Sequence, residues 1–326
     1  MGGYDKSNML DKLNNFRNQI KEAFKIAKKA RLPKITRPKI SNIIVCGMGG
    51  SAAGGLLLKS FEKDKPIFVV RNYYLPKYAG RNSLVFCVSY SGDTEETLSA
   101  YNEAKKRKAT VVAITSGGKL AEKEKKNIIL IPGGYQPRIA AAYTFIPLLI
   151  ALSRYKLIPN QDNAVREAIR ILVPKSTSKE AFMITKPLNS RIPVIYASAD
   201  LEGAAYIFKT QINENSKQPA FYHVLPEMNH NEINGFKKQA KKLHVLMIMD
   251  KKDDIMIKKR MAITRQIIRQ RTGVTEMPTK GTSLLARILY IVYIAMYSSY
   301  YLALMNKVDP TPVPVIQELK KRLKEK

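Results

Sequence analysis

The chain has no tryptophan, and its 326 residues include only two cysteines and three histidines. Two cysteines, Cys46 and Cys87, cannot form a disulfide framework, and both lie in short apolar runs where we expect them to be buried thiols. The histidines are scattered, with no H-x-H or H-x-x-x-H pair that would bind zinc. These scarcities argue against a disulfide-rich secreted protein and a metal centre, and they predict a cytoplasmic protein.

Acidic residues are also scarce, with 26 Asp and Glu against 56 Lys and Arg, for a formal charge of +30. Such a charge is compatible with binding to nucleic-acid phosphates. The basic residues are spread along the whole chain, however, and no zinc-finger or RNP-type aromatic motif accompanies them. We therefore predict no nucleic-acid partner, and interpret the charge as a solvated surface whose field attracts anionic metabolites.

Long hydrophobic runs are missing except at 288–306, where 19 residues carry no charge. This is nearly the length of a membrane span. The run contains five tyrosines and two serines, and tyrosine in membrane helices favours the interfaces over the centre. We interpret the run as a buried helix and predict no membrane association.

Short apolar runs alternate with helical patterns in both halves of the chain, which predicts parallel sheets covered on both faces. We therefore expect an α/β protein with two similar doubly wound domains, each a mainly parallel sheet flanked by helices. An N-terminal helical segment spans 1–40, with an amphipathic helix at 8–30. The first domain spans 41–155, a helical connection 156–190, and the second domain with a C-terminal helix 191–326.

A glycine-rich loop, VCGMGGSAAGG at 45–55, lies between the first strand and the next helix. Gly47, Gly49 and Gly50 would let backbone N–H groups approach an anion at the helix N-terminus. The G-x-G-G-S spacing differs from the dinucleotide fingerprint, and Arg71 stands where an acidic residue would bind a ribose. The loop therefore indicates an anion and no nucleotide cofactor.

A second loop, VSYSGDTEET at 88–97, places hydroxyl groups at another junction between a strand and a helix. Ser89, Ser91 and Thr94 lie in or beside one turn, Gly92 frees the backbone, and Asp93 or Thr94 could cap the following helix. Any one of these hydroxyls alone is explained by a turn or a cap. The two loops together favour anion binding.

GMGGSA, SYSGDTEET about 40 residues later, and AITSGG at 113–118 together resemble the sugar isomerase (SIS) domain family. The later segments PGGYQPRIAAAY, FKTQINENSKQP, LPEMNHNEINGF and VDPTPVPVIQELKKRLKEK look like those of the archaeal bifunctional phosphoglucose/phosphomannose isomerases, so the likeness spans nearly the whole chain. In the SIS family the serine- and threonine-rich loop grips the phosphate of a phosphosugar. The resemblance thus implies phosphate ligands at Ser51, Ser89, Ser91 and Thr94, beside the glycines of the first loop.

The same resemblance implies four catalytic residues. Glu214 in QINENS would be the base that moves a proton between carbons 1 and 2, and Arg138 in PGGYQPR would stabilise the enediolate. His230 in EMNHNE would open the sugar ring from the neighbouring subunit of an obligate homodimer. Lys320 in the tail would assist at the ring oxygen.

From the residues alone these assignments have alternatives. Glu214 could be a surface carboxylate at a helix end, and Glu227 and Glu232 are rival acids. Arg138 could simply begin a helix, and Lys320 is one of many lysines in a basic tail.

The resemblance implies an isomerase of glucose 6-phosphate and fructose 6-phosphate, and also of mannose 6-phosphate, acting through a cis-enediol without a cofactor. Where dual-specificity members carry a threonine, a gapless alignment places Val313, with Thr311 two residues earlier, so the mannose activity depends on this site. A phosphosugar-binding regulatory protein of the same fold remains an alternative. So does an isomerase of pentulose or amino-sugar phosphates.

Overall fold

A computed structural model describes residues 2–35, 39–62, 64–238, 240–323 and 325. The few positions outside these ranges fall in the predicted segments 1–40, 41–155 and 191–326. The first half of the chain forms α1 Met9–Asn14, α2 Phe16–Lys29, β1 Asn42–Cys46, α3 Gly49–Leu58, β2 Ile67–Val70, β3 Ser83–Val88, α4 Glu95–Lys106, β4 Thr110–Thr115, α5 Gly118–Lys123, β5 Ile128–Leu130 and α6 Ala141–Arg154. The second half forms α7 Asp162–Ile171, α8 Pro174–Thr185, β6 Ile192–Ser198, α9 Glu202–Ser216, β7 Phe221–Leu225, β8 Leu243–Met249, α10 Ile255–Arg269, β9 Gly273–Pro278, α11 Leu284–Met305 and α12 Pro314–Arg322.

The first sheet has five parallel strands in the order β2-β1-β3-β4-β5. Its central strands β1 and β3 are buried along their whole length, and their register pairs Cys46 with Cys87. Because parallel strands end at the same edge of a sheet, the loops that follow β1 and β3 are neighbours there. The two predicted phosphate loops are therefore adjacent in space.

The second sheet has four parallel strands in the order β7-β6-β8-β9. Helix α9 follows β6 and packs against both β6 and β7. The prediction of two parallel-sheet domains flanked by helices is confirmed.

One continuous core joins the two sheets through α3, α6, α9 and α11. Helix α11 is long and apolar enough to cross a membrane, but 89% of its most apolar 18-residue window is buried inside the protein. The interpretation of 288–306 as a buried helix is confirmed. The cysteine prediction is also confirmed, since Cys46 and Cys87 are both free and buried.

Two predicted helices differ from the structure in their bounds. The amphipathic helix at 8–30 is divided at Asn15, whose side chain bonds to Asn18 and to Tyr135, and such polar bonds compete with regular helix. The helix predicted to begin at Arg138 begins at Ala141, because Pro137–Ile139 form a 3₁₀ turn first. This turn places Arg138 against the second domain.

Candidate active site

The glycine loop after β1 is packed too closely for larger residues. A Cβ atom on Gly47 would lie 2.9 Å from the Val88 carbonyl oxygen, and one on Gly50 would lie 2.9 Å from the Pro137 carbonyl oxygen. Gly49 has a left-handed backbone, with φ of 50°. The contact between Gly50 and Pro137 brings this loop directly beside Arg138.

Ser51 joins the first loop to the second. Its side chain is buried, and its Oγ accepts a hydrogen bond from the backbone N–H of Tyr90 at 3.2 Å. Ser51 lies in the first turn of α3, where the helix dipole favours a negative charge.

In the second loop, the buried Ser89 donates its hydroxyl hydrogen to Thr94 Oγ1 at 3.0 Å and accepts from the Gly92 N–H at 3.0 Å. Gly92 has φ of 81°, and a Cβ there would lie 1.8 Å from the Gly117 carbonyl oxygen. Only glycine fits such a backbone at such a distance. Ser91 is exposed at the rim, where its Oγ accepts from the Asp93 N–H at 3.3 Å.

The expectation that Asp93 or Thr94 caps α4 is wrong. Thr94 is the N-cap residue but makes no side-chain cap bond, because its hydroxyl is engaged with Ser89. Asp93 Oδ1 instead accepts from the Lys119 N–H at 3.0 Å. The hydroxyl of Thr94 therefore belongs to the loop, and helix α4 receives no side-chain cap from it.

Arg138 and Glu214 meet at the boundary of the two domains. Arg138 Nη1 lies 3.6 Å from Glu214 Oε2, and the side chain of Arg138 is only 5% exposed, against 27% for Glu214. Burial raises the pKa of Glu214 above its ordinary value, and the charges of Arg138 and nearby lysines, Lys320 among them, oppose this shift. Burial also lowers the pKa of Arg138, and Glu214 opposes that change.

Arg138 is held by uncharged groups on its remaining sides. Its Nε–H donates to Asn215 Oδ1 at 2.6 Å, and its Nη2 donates to the carbonyl oxygens of Pro310 at 2.9 Å and Thr311 at 2.6 Å. The guanidinium thus connects the first domain, helix α9 and the segment that leads to α12.

Lys217 closes the C-terminus of α9 in a left-handed conformation, with φ of 53°. Its Nζ donates to the carbonyl oxygens of Glu214 at 2.8 Å and Pro310 at 3.1 Å. Burial and the charge of Arg138 lower its pKa to about 8. Neither Asn215 nor Lys217 was assigned to the site from the sequence, where only the polar run N-E-N-S-K pointed to them.

Two cavities flank helix α12. One, of about 380 Å³, is lined by Glu214, Lys217, Val313 and Ile316 among others. The other, of about 310 Å³, is lined by Ser91, Thr94 and Lys320 among others. Lys320 therefore lies beside the second phosphate loop, while Val313 lies beside Glu214.

His230 lies apart from these groups. It is exposed in the 3₁₀ turn Glu227–His230 after β7, and it lines neither of the two cavities beside α12. The rival acid Glu227 accepts from Asn231 Nδ2 at 2.8 Å, and Glu232 accepts from the Tyr196 hydroxyl at 2.9 Å. Both rivals thus have partners of their own outside the pair formed by Arg138 and Glu214.

Among the described residues, no group of three or more His, Cys, Asp or Glu side chains could hold a metal ion. The polar groups around Arg138 and Glu214 are amides, carbonyls, hydroxyls and amines. Such a site is suited to proton transfer and to binding anions.

The fold and its loops define a class of protein. The C-terminal domain of glucosamine-fructose-6-phosphate aminotransferase from Francisella tularensis superposes with a TM-score of 0.76 at 15% identity, covering 94% of this chain and 98% of that chain. The SIS domain family matches residues 38–154, and the family described as the bacterial phospho-glucose isomerase C-terminal SIS domain matches residues 177–323. The protein is therefore a tandem SIS-domain protein.

Its relatives among characterised sequences narrow this class. A bifunctional phosphoglucose/phosphomannose isomerase of Caldicellulosiruptor bescii is 39% identical over 97% of this chain and 99% of its own length. One from Thermoplasma acidophilum is 38% identical over 87% of this chain and 90% of its own length. The chain belongs to the bifunctional phosphoglucose/phosphomannose isomerase family and is an isomerase.

Proposed function

We propose that the chain interconverts glucose 6-phosphate and mannose 6-phosphate with fructose 6-phosphate. The observation that carries this proposal is the pair of Arg138 and Glu214, whose side chains meet at 3.6 Å. Gly50 packs against Pro137, so the same pair lies beside the glycine loop. An anion site and a base beside a buried cation are what isomerisation of a phosphosugar requires.

In this mechanism the sugar phosphate binds the two loops, through the N-terminus of α3 and the hydroxyls of Ser51, Ser89, Ser91 and Thr94. The Glu214 carboxylate removes the proton from carbon 2 of the open-chain aldose, and the electron pair moves onto the carbonyl oxygen to form a cis-enediolate. Arg138 Nη1 stabilises that oxygen. A proton then passes from the hydroxyl oxygen on carbon 2 to the oxygen on carbon 1, and Glu214 returns its own proton to carbon 1 as the carbonyl forms at carbon 2. This completes the ketose with no net change in redox state.

The raised pKa of Glu214 supports its role as the base. A carboxyl group whose pKa is raised by burial holds a transferred proton more firmly than an exposed one. Arg138 keeps the ionised form accessible, because its charge opposes the effect of burial.

Replacing Glu214 by Gln tests the base directly. We expect Glu214→Gln to lower kcat about 10²- to 10⁴-fold, the usual contribution of a general base, while phosphosugar binding is retained. Glu227→Gln, a change of the same kind at an exposed rival carboxylate, should keep its activity. Turnover by Glu214→Gln at the wild-type rate would contradict the assignment, and tight binding without turnover in the wild type would indicate the regulatory alternative.

His230 and Lys320 are proposed to open the sugar ring. Lys320 lies in the cavity with Ser91 and Thr94, whereas His230 is exposed outside the cavities beside α12. A second chain would therefore have to supply His230, so we propose a homodimer in which each subunit completes the other's site.

Mixing two inactive variants tests this exchange. In a heterodimer of Glu214→Gln and His230→Ala chains, one site carries both changes and the other carries neither. Exchanging subunits between the two variants should therefore restore activity that each variant alone lacks. Light scattering must show a dimer, and an active monomer or a mixture without restored activity would contradict the proposal.

We also propose that no metal or organic cofactor takes part and that both epimers are made. The test is an assay from fructose 6-phosphate in excess chelator, with glucose 6-phosphate and mannose 6-phosphate quantified separately. Val313 lines the cavity that contains Glu214, so a Val313→Thr variant should alter the ratio of the two products. Loss of turnover on chelation would contradict the proposal that no metal takes part. Turnover of pentulose or amino-sugar phosphates only would contradict the proposed substrates.

The proposal includes a cytoplasmic location without membrane or nucleic-acid partners. It is supported by the burial of α11 and by the absence of a nucleic-acid motif in the sequence. Retention of duplex DNA at physiological ionic strength would contradict it.

A further inference from the structure

We propose that Asn215 is a positioning residue that aims the Arg138 guanidinium at Glu214 and at the enediolate. This inference rests on the function proposed above. An arginine has five N–H donors. Asn215 Oδ1 takes the one on Nε, and the carbonyl oxygens of Pro310 and Thr311 take the two on Nη2. The two donors on Nη1 remain, and Nη1 is the atom that faces Glu214 at 3.6 Å.

The orientation of the Asn215 amide is determined by its own partners. Its Nδ2 donates to Gln211 Oε1 at 2.8 Å and to Ser299 Oγ at 2.9 Å. Ser299 Oγ in turn donates to the Met296 carbonyl oxygen at 2.9 Å, so it can only accept from Asn215. A flipped amide would point its donors at the Arg138 Nε–H. The native orientation is therefore the one that presents an acceptor to Arg138.

The same network holds the backbone of Arg138. Gln211 Nε2 donates to the Arg138 carbonyl oxygen at 2.5 Å, and Gln211 and Asn215 are both fully enclosed, at 1% and 0% exposure. Buried and fully satisfied polar networks of this kind favour one geometry. Helix α9 thus carries both the base, Glu214, and the residue next to it that orients the partner arginine.

The three groups that hold Arg138 are uncharged, and this has an electrostatic consequence. A carboxylate in the place of Asn215 would pair with the guanidinium and reduce the charge that acts on Glu214. With an amide there, Glu214 is the acid that forms an ion pair with Arg138 among the described residues. The charge of Arg138 is therefore available to Glu214 and to a developing enediolate oxygen.

Asn215→Asp tests the electrostatic part of this role. It keeps an acceptor for the Arg138 Nε–H, and it replaces the Nδ2 donor that Gln211 and Ser299 accept from by an oxygen. The added negative charge should raise the pKa of Glu214, so the acid limb of the kcat–pH profile should move to higher pH. The shift measures the charge that reaches Glu214, whereas the orientation of Arg138 is tested by Asn215→Leu.

Asn215→Leu tests orientation, since leucine is of similar size and offers no acceptor. We expect kcat to fall about 10- to 100-fold, less than the loss of an oxyanion donor itself, with KM within about threefold of wild type. The matched control is Ser216→Ala at the next residue. It removes the buried hydrogen bond that Ser216 Oγ donates to the Ser299 carbonyl oxygen at 2.7 Å, and it does not touch Arg138. Thermal unfolding verifies that each variant is folded.

The inference is overturned if the acid limb of Asn215→Asp coincides with that of wild type, or if folded Asn215→Leu loses no more kcat than Ser216→Ala. Should Asn215→Leu not fold, Asn215→Ala takes its place, because alanine also offers no acceptor to the Arg138 Nε–H. Failure of the proposed function is recognised separately, because Glu214→Gln would then also retain wild-type turnover. An effect of Glu214→Gln without an effect of either Asn215 variant rejects only the positioning role.

Discussion

At the scale of single residues, the chemistry depends on how Glu214 is surrounded. Burial raises the pKa of Glu214, and the charges of Arg138, Lys217, Lys209 and Lys320 offset only part of that shift. Glu214 lies one residue before Asn215, and both lie in the last turn of α9. The proposed base and the group proposed to orient its cation are therefore placed by one short segment of helix.

The balance around Glu214 predicts a pH effect. Removing one of its cations, as in Lys209→Met, should raise the pKa of Glu214 further and move the acid limb of the kcat–pH profile to higher pH. The base acts when ionised, so activity falls as the pH drops through this pKa. Lys179→Met changes the net charge equally but lies on α8, and its profile should match wild type. Identical acid limbs for wild type, Lys209→Met and Lys179→Met would argue against Glu214 as the titrating base.

At the scale of elements, the start of the buried helix α11 is held by a side chain from another helix. The start of α11 is held from α7, because Glu167 accepts from the Thr282 N–H at 2.6 Å and from the Ser283 N–H at 2.9 Å. Burial disfavours the charge on Glu167, but hydrogen bonds from the side chains of Ser283 and Thr282, together with these backbone bonds, outweigh it and lower its pKa to about 2. The buried central helix thus depends on an acid outside it.

We expect Glu167→Gln to lower the free energy of unfolding by about 1–2 kcal/mol at neutral pH, as for a hydrogen bond to a charged group. The pKa of Glu167 is lowered in the folded state, so its contribution is present above the unfolded pKa and is lost as the pH falls towards 2. Denaturant titrations at pH 7 and near pH 2 should show the difference shrink. Glu318→Gln, whose carboxylate is 53% exposed in its ion pair, should change stability by less than about 0.5 kcal/mol. A loss of unfolding free energy in Glu167→Gln that does not change with pH would show that the charge of Glu167 does not contribute to stability.

At the scale of the whole molecule, the site exists because the two domains share one core. The phosphate loops follow strands of the first sheet, whereas Glu214 ends a helix of the second domain. Helices α3 and α9 approach so closely that a Cβ on Gly203 would lie 2.7 Å from the Leu57 backbone nitrogen. This contact holds the helix that carries Glu214 against the helix that follows the glycine loop.

Gly203→Ala should therefore affect stability and catalysis together. Because the obstructing atoms are backbone, α9 must shift away from α3, which we expect to cost about 1–3 kcal/mol and to lower kcat/KM. Gly80→Ala, where a Cβ meets nothing within 4 Å, is the control. Thermal unfolding and steady-state kinetics measure both effects. Unchanged kcat/KM in a destabilised Gly203→Ala protein would show that this contact does not align the site.

The sequence by itself determined the features that depend on local pattern. The buried strands are apolar runs in the sequence. Glycine is required at Gly92, where φ is 81°. The five tyrosines in 288–306 indicated a helix inside the protein. Each of these follows from the chemistry of neighbouring residues. The domain limits 41–155 and 191–326 were predicted on the same basis and stay predictions.

Only the tertiary structure decided which distant groups meet. Arg138 and Glu214 are far apart in the chain, and their contact depends on the packing of α9 against α3 of the first domain. The same packing made Asn215 a partner of Arg138 and left His230 exposed. The physical reason is that local pattern determines which face of an element is buried, whereas the joint packing of all elements determines which polar side chains meet at the boundary.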